Sequence, residues 1–121
     1  MQKRDLKEIV QELNALIKQC RFEEALDEFY DQNVVTQENE DATTEGIEVL
    51  KTADRKFKNN VTGFTAEPLN SIISDDMSVT EWQYKFDRKI MGSWCYKQLS
   101  LQRWKDGKVI HERHHYKTSK W

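Results

Sequence analysis

The chain has 121 residues, enough for one domain, 1–121, built on one core. Apolar residues are only 37% and charged ones 33%, so buried area must come largely from four Trp, four Tyr and five Phe. A net charge of −2 with both signs interspersed carries no basic footprint of the kind that nucleic acid or an anionic membrane selects. No apolar run approaches the ~20 residues of a membrane span, and no apolar leader follows the charged N-terminal residues. A cytoplasmic protein is expected, with Cys20 and Cys95 as reduced, buried thiols.

Leu6, Ile9, Val10, Leu13, Leu16 and Ile17 recur at helical spacing and predict an amphipathic helix. Phe22, Ala25, Leu26, Phe29 and Tyr30 predict a second. Residues 18–21 separate them without Gly or Pro and read equally as a bend or a loop. Val34-Val35-Thr36 is a short strand. After a polar connection, Thr44 reads as an N-cap with Glu45 in the first turn, and Ile47, Leu50, Phe57 and Val61 mark a third helix. Past Gly63 the period falls to two. Four strands follow: Phe64 to Ser74, with Pro68 marking an edge or a bulge, then Met77 to Arg88, Trp94 to Lys105 and Lys108 to Tyr116. This order predicts an α+β fold, helices on one face of a bent antiparallel sheet.

Two turns set the expected registers. Asp106-Gly107 is a type I′ hairpin signal, since both central residues need φ > 0. It pairs Lys105 with Lys108, Leu101 with Glu112, Leu99 with His114 and Lys97 with Tyr116. A Met91-Gly92 turn pairs Ile90 with Ser93 and sets Trp82 beside Leu101 and Tyr84 beside Leu99. The expected rows on one face are Trp82–Leu101–Glu112 and Tyr84–Leu99–His114, with Phe86, Lys97 and Tyr116 in a third. Trp94, Tyr96, Gln98, Ser100, Gln102, Trp104 and Arg113 fall on the other face, beside Glu81, Gln83 and Lys85.

The chain resembles the nuclear transport factor 2-like superfamily and, within it, the SnoaL-like proteins. The likeness covers essentially the whole length. It is carried by Phe29-Tyr30-Asp31 running into Val34 to Glu40, by Glu45-Gly46, by Glu81-Trp82, and most specifically by Gln102 to Arg113. The resemblance implies a cone in which three N-terminal helices pack on a strongly bent sheet around a central pocket, and dimers formed through the outer sheet face. Members include isomerases, polyketide cyclases, hydrolases and dehydratases, and others that only bind ligands or partners, so the fold alone leaves function open. The mixed aromatic outer face expected above suits such a homodimer.

In the expected register Glu112 lies beside an indole and a leucine, where desolvation raises a carboxyl pKa unless a cation pairs with it. Glu112 and His114 are therefore candidate proton-transfer groups, and Trp82, Tyr84, Leu99, Leu101, Tyr116 and Tyr30 are candidate ligand contacts. Gln37 and Asn39 share a face of the short strand and are candidate pocket amides. The structural alternative is a Glu112 carboxyl held by a Tyr hydroxyl or by Arg103. His111 and His115 share a strand face too far apart for one metal, and His114 points the other way, so no metal site is expected. Three function classes follow: a binder of a small apolar or aromatic molecule, a cofactor-independent isomerase, cyclase or dehydratase using Glu112, or an interaction module using the outer sheet.

Overall fold

The computed structural model describes residues 5–90 and 92–117. The elements run α1 Leu6–Lys18, α2 Phe22–Phe29, β1 Tyr30–Glu38, β2 Thr44–Glu45, α3 Ile47–Asn60, β3 Val61–Ser74, β4 Met77–Arg88, β5 Gly92–Lys105 and β6 Lys108–Tyr116. Six strands form one open sheet in the order β2-β1-β6-β5-β4-β3. The sheet is mixed rather than wholly antiparallel, because β1 runs parallel to β6. The three helices and the sheet make the α+β fold that the pattern predicts, in the cone form that the resemblance implies.

The first two helices begin and end where local chemistry dictates. Asp5 caps α1 by accepting from the Lys7 amide at 3.2 Å. At its other end the Cys20 amide donates to Ile17 O and the Arg21 amide to Leu16 O, a Schellman closure with Cys20 at φ 63°. The break between the helices is thus a capped turn that uses a cysteine where glycine is usual. Ile9, Val10 and Leu13 from α1 join Leu26 and Phe29 from α2 in the core, against Trp104 and Val109 of the sheet.

The start of α3 differs from expectation. Thr44 belongs to the short strand β2, with its hydroxyl 2.7 Å from that of Thr36. Gly46 takes the position before the helix at φ 99°, a conformation that side chains disfavour, and its amide donates to Val34 O.

Bulges bend the sheet. In β3, the edge strand, Gly63 and Phe64 stand opposite the single residue Phe86 and Leu69 is a second extra residue, so Pro68 sits both at an edge and beside a bulge. In the last hairpin Asp106 and Gly107 have φ 52° and 76° and Lys105 pairs with Lys108, as the turn chemistry requires. One step further, Ile110 is an extra residue in β6, and the register moves by one. Gln102 then pairs with Glu112, Ser100 with His114 and Gln98 with Tyr116. The preceding hairpin also departs from expectation, pairing Arg88 with Gly92; Met91 of the expected turn lies outside the described residues. Trp82 consequently faces Gln98 and Tyr84 faces Tyr96.

Both displacements are odd, so β5 is inverted relative to expectation. Gln98, Ser100, Gln102 and Trp104 point inward and are buried. Leu99, 45% exposed, points outward with Leu101 and Arg103. Cys95 is likewise exposed rather than buried. β4 and β6 keep the faces expected of them, because the two errors cancel across β5.

Replacing Cys20 with Gly should relieve the left-handed backbone. We expect a gain of about 1 kcal/mol in unfolding free energy. Urea denaturation should show a raised midpoint with an unchanged slope.

Candidate active site

The concave face of the sheet and the inner faces of α2 and α3 enclose a half-open cavity of about 430 Å³. Its volume lies within the range of small-molecule pockets. Trp82 and Tyr84 from β4, Tyr96 to Gln102 from β5 by alternate residues, and Glu112 and His114 from β6 form its sheet wall. Leu50, Asp54 and Phe57 from α3 face them, and Phe64 of the β3 bulge closes one side.

Glu112 is buried and pairs with the partly exposed His114, whose Nε2 lies 3.0 Å from Glu112 Oε1. The other carboxylate oxygen accepts from the Tyr30 hydroxyl and, at 2.6 Å, from Gln102 Nε2. Gln102 is itself fixed, because Ser78 Oγ donates to its Oε1 at 3.0 Å and Trp104 Nε1 donates to Ser78 Oγ at 2.9 Å. On the far side of the imidazole, Nδ1 lies 2.8 Å from Ser100 Oγ and 3.1 Å from Gln98 Nε2. With Gln98 Nε2 donating, Nδ1 accepts and the proton sits on Nε2, toward Glu112. A protonated ring would donate from both nitrogens, Ser100 Oγ then accepting at Nδ1.

Burial alone would push the Glu112 carboxyl up, but the His114 imidazole and the hydrogen bonds from His114, Tyr30 and Gln102 outweigh it. The carboxyl is held below its ordinary range, the reverse of the rise expected for a carboxylate beside only indole and leucine. His114 moves the opposite way. Burial disfavours its charged form, yet the Glu112 charge prevails and raises it. The Tyr30 hydroxyl is driven well above its ordinary value by burial and by Glu112, so it stays protonated as a donor.

Asp54 is the carboxyl that composition and periodicity did not single out. Burial raises it to about 6, with the like charge of Glu112 adding to the rise and His114 opposing it. Among the described residues it has no hydrogen bond or ion pair. A signal was available: Asp54 occupies the helical position between Leu50 and Phe57 on the apolar stripe of α3.

The remaining candidates divide. Trp82 and Tyr84 line the cavity, stacked with ring centroids 5.6 Å apart, and Tyr30 reaches its floor. Gln37 also lines it, though its amide donates to the Asp41 carbonyl at 2.9 Å. Leu99 and Leu101 are on the outer face because of the inverted strand. Tyr116 stacks on Tyr96 at 5.3 Å and is not among the lining residues. Asn39 is not a pocket amide. At φ 52° it ties the end of β1 to β6, its amide donating to His114 O and its Oδ1 accepting from the Tyr116 amide at 2.9 Å. Arg103 points outward, so the Tyr30 hydroxyl, not Arg103, is the partner of Glu112. His111 and His115 pair with the outward residues Arg103 and Leu99, away from His114. Among the described residues no three His, Cys, Asp or Glu side chains are placed to hold a metal.

No protein-family model matches the sequence and no curated protein matches it. Solved structures match over most of the chain. A protein from Mesorhizobium loti provisionally assigned as a SnoaL-like polyketide cyclase superposes with a TM-score of 0.81 at 19% identity, covering 93% of this chain and 100% of its own. An NTF2-like protein from Burkholderia thailandensis gives 0.81 at 16%, covering 94% and 92%. An epoxide hydrolase of the LEH-like type from Mycobacterium tuberculosis gives 0.74 at 14%, covering 91% and 80%.

Asp54 is ionised at neutral pH in the unfolded chain but titrates near 6 in the fold, so its charge destabilises the native state above that pH. Stability carried by this group therefore rises as pH falls from 7 toward 4. Asp54→Asn should stabilise the protein at pH 7 by roughly 1–2 kcal/mol after allowance for partial exposure. Thermal melts from pH 5 to 8 should show the variant's advantage shrinking toward acid. At this level of likeness the neighbours establish architecture: the chain has the fold of the NTF2-like and SnoaL-like proteins.

Proposed function

We propose that the cavity binds a small, mostly apolar molecule and that Glu112 and His114 give the polar end of the site its fixed geometry. The observation that supports this most directly is the cavity itself, apolar-walled, with one unpartnered carboxyl, Asp54, facing a fully hydrogen-bonded pair. Trp82, Tyr84 and Leu50 supply surface, and Tyr30, Gln37 and the Glu112–His114 pair supply orientation. Leu99, Leu101 and Asn39 have no part in it.

A second reading, a cofactor-independent acid–base enzyme of isomerase, cyclase or dehydratase type, is favoured by one further observation. Asp54 raised to about 6 holds both protonation states near neutral pH. In that reading Asp54 exchanges the proton with the ligand, and the Glu112–His114 pair, whose oxygens and nitrogens already have partners, stabilises the charge that develops. The neighbours named as cyclase and epoxide hydrolase support a site open to either use.

In this reading the protein is cytoplasmic and a homodimer through the outer sheet face, where Val79, Leu99 and Leu101 stand among Glu81, Lys85 and Arg113. No helix of the described residues is long and apolar enough to cross a membrane.

A thermal-shift screen of small hydrophobic carbonyl compounds, lactones and alcohols should yield ligands that raise the melting temperature. At 100 times the dissociation constant the gain is about 2.7 kcal/mol. The shift should vanish in Glu112→Gln while its circular dichroism stays native; a variant that does not fold would make Glu112 structural instead. Sedimentation at micromolar concentration should give twice the 14.5 kDa chain mass. A monomer mass would remove the outer face as a dimer surface.

A further inference from the structure

The charges around the cavity are one-sided. Its lining includes Glu38, Asp41, Asp54 and Glu112, and neither Lys nor Arg. The one basic group there, His114, is committed to Glu112 at 3.0 Å. Glu112 is in turn neutralised by that pair and satisfied by Tyr30 and Gln102. Glu38 and Asp41 are exposed and screened by solvent. Asp54 is different. It is half-buried, lines the cavity and has no hydrogen-bonding or ion-pair partner among the described residues.

The wall beside Asp54 is made of rings. Phe57 follows it by three residues and so lies on the same face of α3. From Phe57 the rings continue edge-on to Phe64 at 5.6 Å, to Tyr84 at 5.7 Å, and on to Trp82 and Tyr96 at 5.6 and 5.7 Å. Aromatic faces carry negative quadrupole potential and attract a cation that is being desolvated. A carboxylate ligand would meet four acidic side chains and no Lys or Arg to pair with. A cation would meet a free carboxyl and a continuous aromatic wall.

We propose that the cavity takes an organic amine in its ammonium form, with Asp54 as counter-ion and the Phe57–Tyr84–Trp82 rings as its surround. The inference rests on the reading of the cavity as a small-molecule site and narrows its ligand class. It also gives the uncompensated Asp54 a purpose, since a bound cation would favour the ionised carboxylate. The groups that act on Asp54 from the surrounding elements are Glu112 and His114 of β6, Glu23 of α2 and Lys58 of α3 itself. Protonation of Asp54 on acidification would weaken a cation's hold.

Three probes of one shape separate the possibilities: 2-phenylethylamine, 2-phenylethanol and phenylacetate, titrated by calorimetry at pH 7.5. The ammonium should bind about tenfold or more tightly than the alcohol, equivalent to about 1.4 kcal/mol, and phenylacetate most weakly. In Asp54→Asn the ammonium should fall to the alcohol's affinity while the alcohol is unchanged. Lowering the pH to 5 should weaken the ammonium in the native protein and leave it nearly level in the variant. Equal or tighter binding of the alcohol or phenylacetate, or an ammonium preference that survives Asp54→Asn, would overturn the inference and leave the pocket standing. Binding of none of the three would overturn the pocket with it.

Discussion

The site is organised by one extra residue in β6. Ile110 has no partner across β5, so Val109 and Glu112, three residues apart, point to the same side of the sheet. Without that step Glu112 would pair with Leu101 and project from the convex face into water, where a carboxylate costs nothing. With it, Glu112 is buried among groups that must all be polar: Gln102 beside it, Tyr30 above, His114 two residues on. A buried charge is tolerated only when paired and hydrogen-bonded. The Trp104–Ser78–Gln102 chain meets that demand by fixing the Gln102 amide before it reaches the carboxylate. Backbone irregularity and polar network are thus one device.

Two of the cavity's carboxyls, Glu112 and Asp54, behave oppositely because of their company. Glu112 has an imidazole, a phenol and an amide, and its pKa falls; Asp54 has an apolar helix face and the distant charge of Glu112, and its pKa rises. Environments that pull two titratable groups apart are common where acid–base or binding work is done, and less common in purely structural networks. The satisfied pair also locks neighbouring strands, since His114 reaches Ser100 and Gln98 across β5 while its carbonyl accepts from Asn39 at the end of β1. Asp54, by contrast, is held only by its helix and is the group open to exchange with whatever enters.

Helix positions, the run of the last four strands and the last turn were legible from the sequence because each rests on a local rule: apolar spacing for α1 and α3, a period of two after Gly63, and Asp106-Gly107 for the hairpin. The face of β5 was not. Its inner residues Gln98, Ser100 and Gln102 are more polar than its outer Leu99 and Leu101, so the usual assignment of apolar side chains to the interior points the wrong way. A bulge and a longer turn leave no local mark, and each moves the register by an odd number. Their agreement at β4 and β6 therefore lent false support to the strand between them. Asp54 was hidden for a related reason: a carboxylate on an apolar stripe looks like an interruption of the pattern until the opposite wall is seen.

The sheet order carries a consequence for how the chain reaches this state. β6, the last of the described strands in chain order, is inserted between β1 and β5, with Tyr30 and Thr36 meeting partners 79 and 76 residues downstream. Until Lys108 to Tyr116 arrive, β1 exposes an unpaired edge and Tyr30 has no carboxylate to meet. Such non-local closure is slow because the loop entropy is spent before any contact forms. The meander β3–β4–β5 can assemble early as a unit, while the helices and β1 wait for the final strand. Synthesis of the whole described chain, and not of its helical half, is then the point at which the cavity first exists, and the unfinished molecule is the form most exposed to edge-to-edge aggregation.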